Sequence, residues 1–288
     1  MSDTWFGNDP PPRRRLTFWG GVCVVLRAIP LAILVFGGLA VLLAVRLVER
    51  PLCGLARPVT PFITVFVCRV ALWIIGLRLA VQGTPLNGQG AAVANHSSWL
   101  DIFVLNASKR VYFVSKSEVA GWPGIGWLAR ATGTVFIRRT RTQAAAQAAV
   151  FRTRLRAGHR LLFFPEGTSS DGGRVLPFKT TLFAAFFAEG LRETLEVQPV
   201  TVVYHAPAHA DPRVYGWWGD MDFGSHLLAT LANTRRGRVQ VIYHPPLKVA
   251  AFDNRKALAA ACEARVREGV VQAGRAHAPG PRVSVKER

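Results

Sequence analysis

Acidic residues are scarce in this chain: 17 Asp and Glu stand against 36 Lys and Arg in 288 residues, a formal net charge of +19. The shortage is sharpest near the amino terminus, where residues 13–94 hold nine Arg and a single acid, Glu49. A balance of this kind selects anionic partners: nucleic acid, acidic lipid, or an acidic or phosphate-bearing co-substrate. The basic residues follow no zinc-finger or RNP-type spacing, so nucleic acid is not an expected partner. Cysteine is sparse as well. Cys23, Cys53, Cys68 and Cys262 are far apart, with no C-x-x-C pair, which excludes a disulfide framework and suits buried thiols in a reducing compartment. The chain has no G-x-S-x-G elbow or Cys/His pairing to support a covalent nucleophile. No Gly-Lys-Ser/Thr follows the Gly-containing turn near residue 170, which excludes a P-loop. No internal repeat is apparent.

Apolar residues are abundant, at 50% with a mean hydropathy of +0.21, more than most soluble domains show. Ala28 to Val45 is an uncharged run of 18 residues. As a helix it is about 27 Å long, just enough to cross a hydrocarbon core. Pro30, Gly37 and Gly38 loosen it. A second apolar stretch, Pro61 to Val81, carries Arg69 and Arg78 inside it, so it is expected to lie in the membrane interface or to pack on protein. A cleaved signal peptide fits less well, because Arg46 rather than a small-residue site follows the apolar run. With its Arg excess, the segment 1–82 reads as membrane-associated helices on an anionic cytoplasmic leaflet.

Beyond it, residues 83–273 alternate strand and helix. A short apolar run occurs at Ala91–Ala94, with similar runs enriched in β-branched and aromatic residues at Val111–Val114, Thr134–Ile137 and Arg160–Phe164, and further strands at Val197–Tyr204 and Val239–Tyr243. Thr142–Ala157, Thr180–Glu189 and Asn254–Ala273 read as helices, the first ended by Gly158. The pattern predicts an α/β fold, a sheet covered by helices on its faces. Residues 274–288 are Pro- and Arg-rich without periodicity and are expected to be a disordered tail.

Two polar blocks carry the chemistry. In Asn95-His96-Ser97-Ser98-Trp99-Leu100-Asp101, five residues on a regular helix would advance about 500° and leave positions 96 and 101 about 140° apart. His96 must therefore precede the helix. If Asn95 ends a strand and Ser97 or Ser98 caps the helix, Asp101 in its first turns can reach the His96 ring. Asp101 would then accept from one ring nitrogen, leaving the other to take a proton from an alcohol. A capping His beside an Asp favoured by the helix dipole is the plainer alternative. In Phe164-Pro165-Glu166-Gly167-Thr168, successive backbone N–H groups with the Thr168 and Ser169 hydroxyls could form an anion nest, or simply a turn. Arg138 and Arg139 offer fork-shaped donors for phosphate, or solvated surface charge. His205, His209, Asp211, Asp220, Asp222 and His226 form a further polar group. Pro207 prevents helical i, i+4 spacing between its first two His, so no metal site is expected. Trp217 and Trp218 beside it read equally as core or as an interfacial loop.

Taken in order, Asn95 to Asp101, Lys116 and Glu118, Gly133 with Phe136 to Arg139, Phe164 to Thr168, and Val197, Pro199 and Val200 resemble the glycerolipid acyltransferase family. That family carries N-H-x-x-x-x-D as its first block and F-P-E-G-T as its third. The resemblance covers residues 93–204 or so. It implies a mixed sheet preceded by a two-helix membrane-embedded element, His96 and Asp101 as the catalytic pair, and an acceptor site that includes Arg138, Glu166, Gly167 and Thr168. It also implies an acyl thioester donor, acyl-CoA or acidic acyl carrier protein, and no resident cofactor. The location it implies is the bacterial inner membrane, with the catalytic domain on the cytoplasmic side. The first expectation for the reaction is acylation of 1-acyl-sn-glycerol-3-phosphate to phosphatidate in phospholipid biosynthesis. One departure bears on this: Ser169 stands where many phosphatidate-forming enzymes have Arg after F-P-E-G-T. The alternative is therefore lyso-ornithine lipid, an aminoacyl hydroxy-fatty-acid amide, as acceptor. A more remote alternative is a non-catalytic lipid-binding protein on the same fold.

Overall fold

The computed structural model describes residues 4–7, 9–11, 16–87, 90–137, 144–208 and 210–274. It opens with a 36-residue helix, α1 (Phe18–Cys53), whose start is capped by the Thr17 hydroxyl accepting from the Gly20 amide at 3.1 Å. The helix is long and apolar enough to cross a membrane, and only 11% of its most apolar window is buried against protein. Pro30 lies inside without ending it. Gly38 sits against Val67 of α2 (Thr60–Ile75), where an added Cβ would fall 2.5 Å from a Val67 methyl, so this glycine is what lets the two helices approach. Glu49, the lone acid of this region, caps α2 by accepting from the Val59 and Thr60 amides at 2.8 and 3.1 Å.

α2 packs one face on protein, one of the two placements expected for the second apolar stretch, and leaves Phe62, Phe66 and Trp73 exposed on another. Arg69 donates to the Ala107 carbonyl at 2.9 Å, at the end of α3 (Leu100–Ser108). The helix does not run on to Val81. It ends at Gly76, which adopts a left-handed φ of 85°, and Leu77–Gln82 becomes a strand, β1. A boundary drawn after residue 82 thus cuts off an edge of the sheet, because β1 pairs along its whole length with β7 (Gly237–Tyr243). Replacing Gly76 with Ala would impose a Cβ on a left-handed backbone, 3.2 Å from the Arg27 guanidinium. The expected cost is about 1–2 kcal/mol, read as a lowered thermal midpoint in detergent.

The remaining strands are β2 (Gly90–Ala94), β3 (Tyr112–Lys116), β4 (Val135–Ile137), β5 (Leu161–Phe163), β6 (Glu196–His205) and the short β8 (Leu247–Lys248). One mixed sheet has the order β1-β7-β6-β2-β5-β3-β4, with β8 beside β6. β6 is antiparallel to β7 and β8; the other pairings are parallel. Period-two alternation sends neighbouring side chains to opposite faces. Val93, Phe163 and Val203 pack with Phe151 and Leu155 of α5 (Ala144–Arg156) and with Leu258, Cys262 and Val266 of α7 (Arg255–Gln272). Ala92, Ala94, Leu162 and Val202 pack with Leu72 of α2 and Leu100 and Val104 of α3. The expected helix at Thr180–Glu189 is a 3-10 segment, Leu182–Phe187. Leu182, Phe183, Ala185 and Phe186 are all buried there, so packing rather than an amphipathic face sets its conformation. Two further helices, α4 (Ile125–Thr132) and α6 (Phe223–Leu231), complete the described α-helices. The four cysteines are free: Cys68 and Cys262 are buried, Cys23 is half-buried and Cys53 is exposed. Positions 275–288 of the expected tail lie outside the described residues.

The chain leaves β2 toward β3 on one side, returns to β5, then crosses to β6 on the other. Strand order therefore reverses at β2; β2 and β5 end side by side, and β6 runs on past them from Val200 to His205. A crevice at such a reversal is where open α/β sheets hold their ligands.

Candidate active site

β2 ends at Ala94, and the next residue locks the strand ends together. The buried Asn95 side chain donates to the Val202 carbonyl at 2.9 Å and accepts from the Val202 amide at 2.8 Å. His96 then lies in the turn before α3, and Asp101 in its first turn. Asp101 Oδ2 is 2.7 Å from His96 Nδ1 and also accepts from the amides of Ser97 and Ser98 at 2.8 and 3.1 Å. Two backbone donors on that oxygen mark it as an acceptor, so Nδ1–H donates and Nε2 keeps its lone pair. The cap is made by the Asp101 carboxylate together with the Ser98 hydroxyl, which accepts from the Leu100 amide at 3.3 Å; the Ser97 hydroxyl takes no part. The His96 ring stacks on Phe164, with centroids 4.1 Å apart, and its side chain remains 21% exposed while that of Asp101 is fully buried. The ring is thus accessible from outside and the carboxylate is not.

The second block follows β5, the parallel neighbour of β2. Glu166 is 1% exposed. Its carboxyl group points inward, accepting from the His96 amide at 2.7 Å and the Leu176 amide at 2.9 Å. Burial pushes its pKa up to about 8, against the lowering effect of the two backbone bonds. Glu166 thus ties the two blocks together through the backbone of His96, a role the sequence did not reveal. Ser170 adds a second tie, its amide donating to the His96 carbonyl at 2.9 Å. Gly167 and Thr168 are half-buried at the carboxyl edge. The Thr168 hydroxyl accepts from the Trp5 amide at 3.4 Å, so the amino-terminal segment touches this turn. Arg138 and Arg139 lie outside the described residues; β4, ending at Ile137, is third from β2 in the sheet order, about 14 Å across.

Among the described residues no group of three His, Cys, Asp or Glu side chains is placed to hold a metal ion, and His209 lies outside them. His226 instead accepts from the Trp99 indole at 2.9 Å, and burial lowers its pKa to about 4. Trp218 is buried, whereas Trp217 is half-buried against Phe223. Tyr204 was not foreseen: its hydroxyl donates to Asp101 Oδ1 at 2.6 Å.

Fold and site together define a class: a protein with a histidine paired to a buried carboxylate at the carboxyl edge of an α/β sheet, behind an amino-terminal helix of membrane-spanning length. Comparison with known proteins narrows it. The family profile described as Acyltransferase matches residues 78–203. A lyso-ornithine lipid O-acyltransferase of Rhodobacter capsulatus is 58% identical over 271 residues, 94% of this chain and 98% of that protein. A 1-acyl-sn-glycerol-3-phosphate acyltransferase of Neisseria gonorrhoeae is 39% identical over 41% of this chain and 47% of its own length. The crystal structure of the 1-acyl-sn-glycerophosphate acyltransferase PlsC from Thermotoga maritima shares the fold, with a TM-score of 0.63 at 20% identity over 90% of this chain and 98% of that one. The chain belongs to the acyltransferase family.

Proposed function

We propose that this enzyme acylates the free hydroxyl of lyso-ornithine lipid, using acyl-CoA or acyl carrier protein as thioester donor. The observation that carries this reading is near full-length similarity, at 58%, to a protein of that activity; the phosphatidate-forming relative aligns over less than half of either chain. The order of the two acceptors is thus the reverse of the first sequence expectation. Local chemistry supports it. Ser169 supplies no cation after F-P-E-G-T and is only 8% exposed. Arg174, the next cation along the loop, is held by the buried Asp171 at 3.2 Å. A turn without a ready guanidinium suits an acceptor that has no phosphate.

In the reaction, Nε2 of His96 takes the proton of the acceptor hydroxyl as its oxygen attacks the thioester carbonyl carbon. The resulting oxyanion is met by backbone amides of the turn after Phe164, with Arg138 as a further donor. Collapse breaks the C–S bond, and the leaving thiolate takes the proton back from His96, restoring the neutral imidazole. Asp101 stabilises the imidazolium between the two transfers. Gly167 and Thr168 line the acceptor, and Glu166 holds their turn against His96. The enzyme works at the bacterial inner membrane with its sheet on the cytoplasmic side, a placement supported by the span-length α1 and the Arg excess of residues 13–94.

Purified enzyme in mixed micelles, given each acceptor with the same donor, is expected to show kcat/KM at least about tenfold higher for lyso-ornithine lipid than for lysophosphatidate, a preference of about 1.4 kcal/mol. Equal or inverted preference would return the reading to phosphatidate synthesis. Direct comparison is preferable to placing Arg at position 169, where burial would force the long side chain to displace its neighbours.

A further inference from the structure

The two oxygens of the Asp101 carboxylate are served unequally. Three donors converge on Oδ2: His96 Nδ1 and the amides of Ser97 and Ser98. Oδ1 receives the Tyr204 hydroxyl, from β6, at 2.6 Å. Asp101 is 0% exposed and Tyr204 2%, so no bulk water can take over that bond. We propose that Tyr204 is a positioning residue of the acyl-transfer reaction, its hydroxyl holding Asp101 anionic and oriented so that the shared proton stays on Nδ1 of His96.

This rests on His96 acting as the base. The pair holds one proton or two. With one, Asp101 is a carboxylate, Nδ1 carries the proton and Nε2 is open to the acceptor hydroxyl. With a second proton taken up, Asp101 is protonated and donates to Nδ1, the ring proton sits on Nε2, and the ring cannot accept from the acceptor. A hydroxyl donating to a carboxylate in a low-dielectric interior favours the charged form, and therefore the first arrangement. Without it, a buried carboxylate oxygen is left unpaired and the protonated acid gains. Burial and the adjacent Asp101 hold the Tyr204 phenol well above its ordinary range, so it remains a donor wherever the enzyme works. Its ring also packs on Tyr215, with centroids 5.8 Å apart, but ring packing alone does not need the hydroxyl. The base is thereby assembled from three adjacent strand ends: His96 after β2, its stacking partner Phe164 after β5, and Tyr204 in β6.

Tyr204→Phe keeps the ring and removes the bond. The expected result is a kcat lowered about ten- to hundred-fold, a KM for the acceptor within about twofold of the parent, and an acid limb of the kcat/KM profile displaced to higher pH, because the Asp–His unit then takes up its proton more readily. The same fold-loss is expected with lyso-ornithine lipid and with lysophosphatidate, so an error over the acceptor leaves the result readable. His96→Ala, assayed alongside, reports separately on the base. A folded Tyr204→Phe enzyme with parental kcat and an unmoved acid limb overturns the proposal, as does a loss confined to KM. If this variant does not fold, difluorotyrosine incorporated at position 204 keeps the shape and strengthens the donor. The acid limb should then move to lower pH, and an unmoved limb again overturns the assignment.

Discussion

His96→Ala is expected to lower kcat by about 10²- to 10⁴-fold, the usual contribution of a positioned general base, while the protein still sediments with membranes. The ring meets the buried carboxylate, at 2.7 Å, and stays partly open to solvent. Its removal leaves the backbone ties to Glu166 and Ser170 in place, since these use the His96 amide and carbonyl. The turn should therefore persist, and the loss should fall on kcat rather than on acceptor binding. The proposed membrane anchor is α1, which is remote in sequence and largely uncovered by protein. Activity within about threefold of the parent would remove His96 from the base role and with it the mechanism derived above.

The strands and the His–Asp pair were legible because short-range rules govern them. Short apolar runs mark β2, β3, β5, β6 and β7 to within a residue or two, and the helical advance of five residues forces His96 off the helix that bears Asp101. β1 was missed because Leu77-Arg78-Leu79-Ala80-Val81 continues the apolar character of α2; the one local signal was Gly76, whose left-handed conformation stops the helix. The long-range partners left no trace in sequence. Asn95 finds Val202 107 residues away, and Asp101 finds Tyr204 103 residues away, through a β2–β6 pairing that spacing cannot announce. The direction of a side chain was equally hidden. Glu166 sits in a Gly-containing turn, where a carboxylate reads as a ligand, but its carboxyl faces two backbone amides in the interior.

That interior position sets the pH dependence of stability. The ordinary value for Glu166 is 4.5, and burial, helped by the nearby Asp101 charge, pushes it up to about 8 in the folded protein. Between those two values the folded state holds a proton that the unfolded state has released, so folding takes up a proton. Stability contributed at this site is therefore present at low pH and declines as pH rises from 4.5 through about 8, by up to ~1.4 kcal/mol per pH unit. Glu166→Gln removes the titration and nearly preserves the shape. Its amide oxygen keeps one of the two backbone bonds, while its NH₂ confronts the other amide, at a cost of about 1–3 kcal/mol. At pH 6 the variant should therefore melt below the parent in detergent. By pH 9 the parent has to carry a buried carboxylate that the variant lacks, so the gap should close or reverse. Melting curves for the two proteins that stay parallel from pH 5.5 to 9 would show that Glu166 is already ionised in the folded state, held so by the amides of His96 and Leu176.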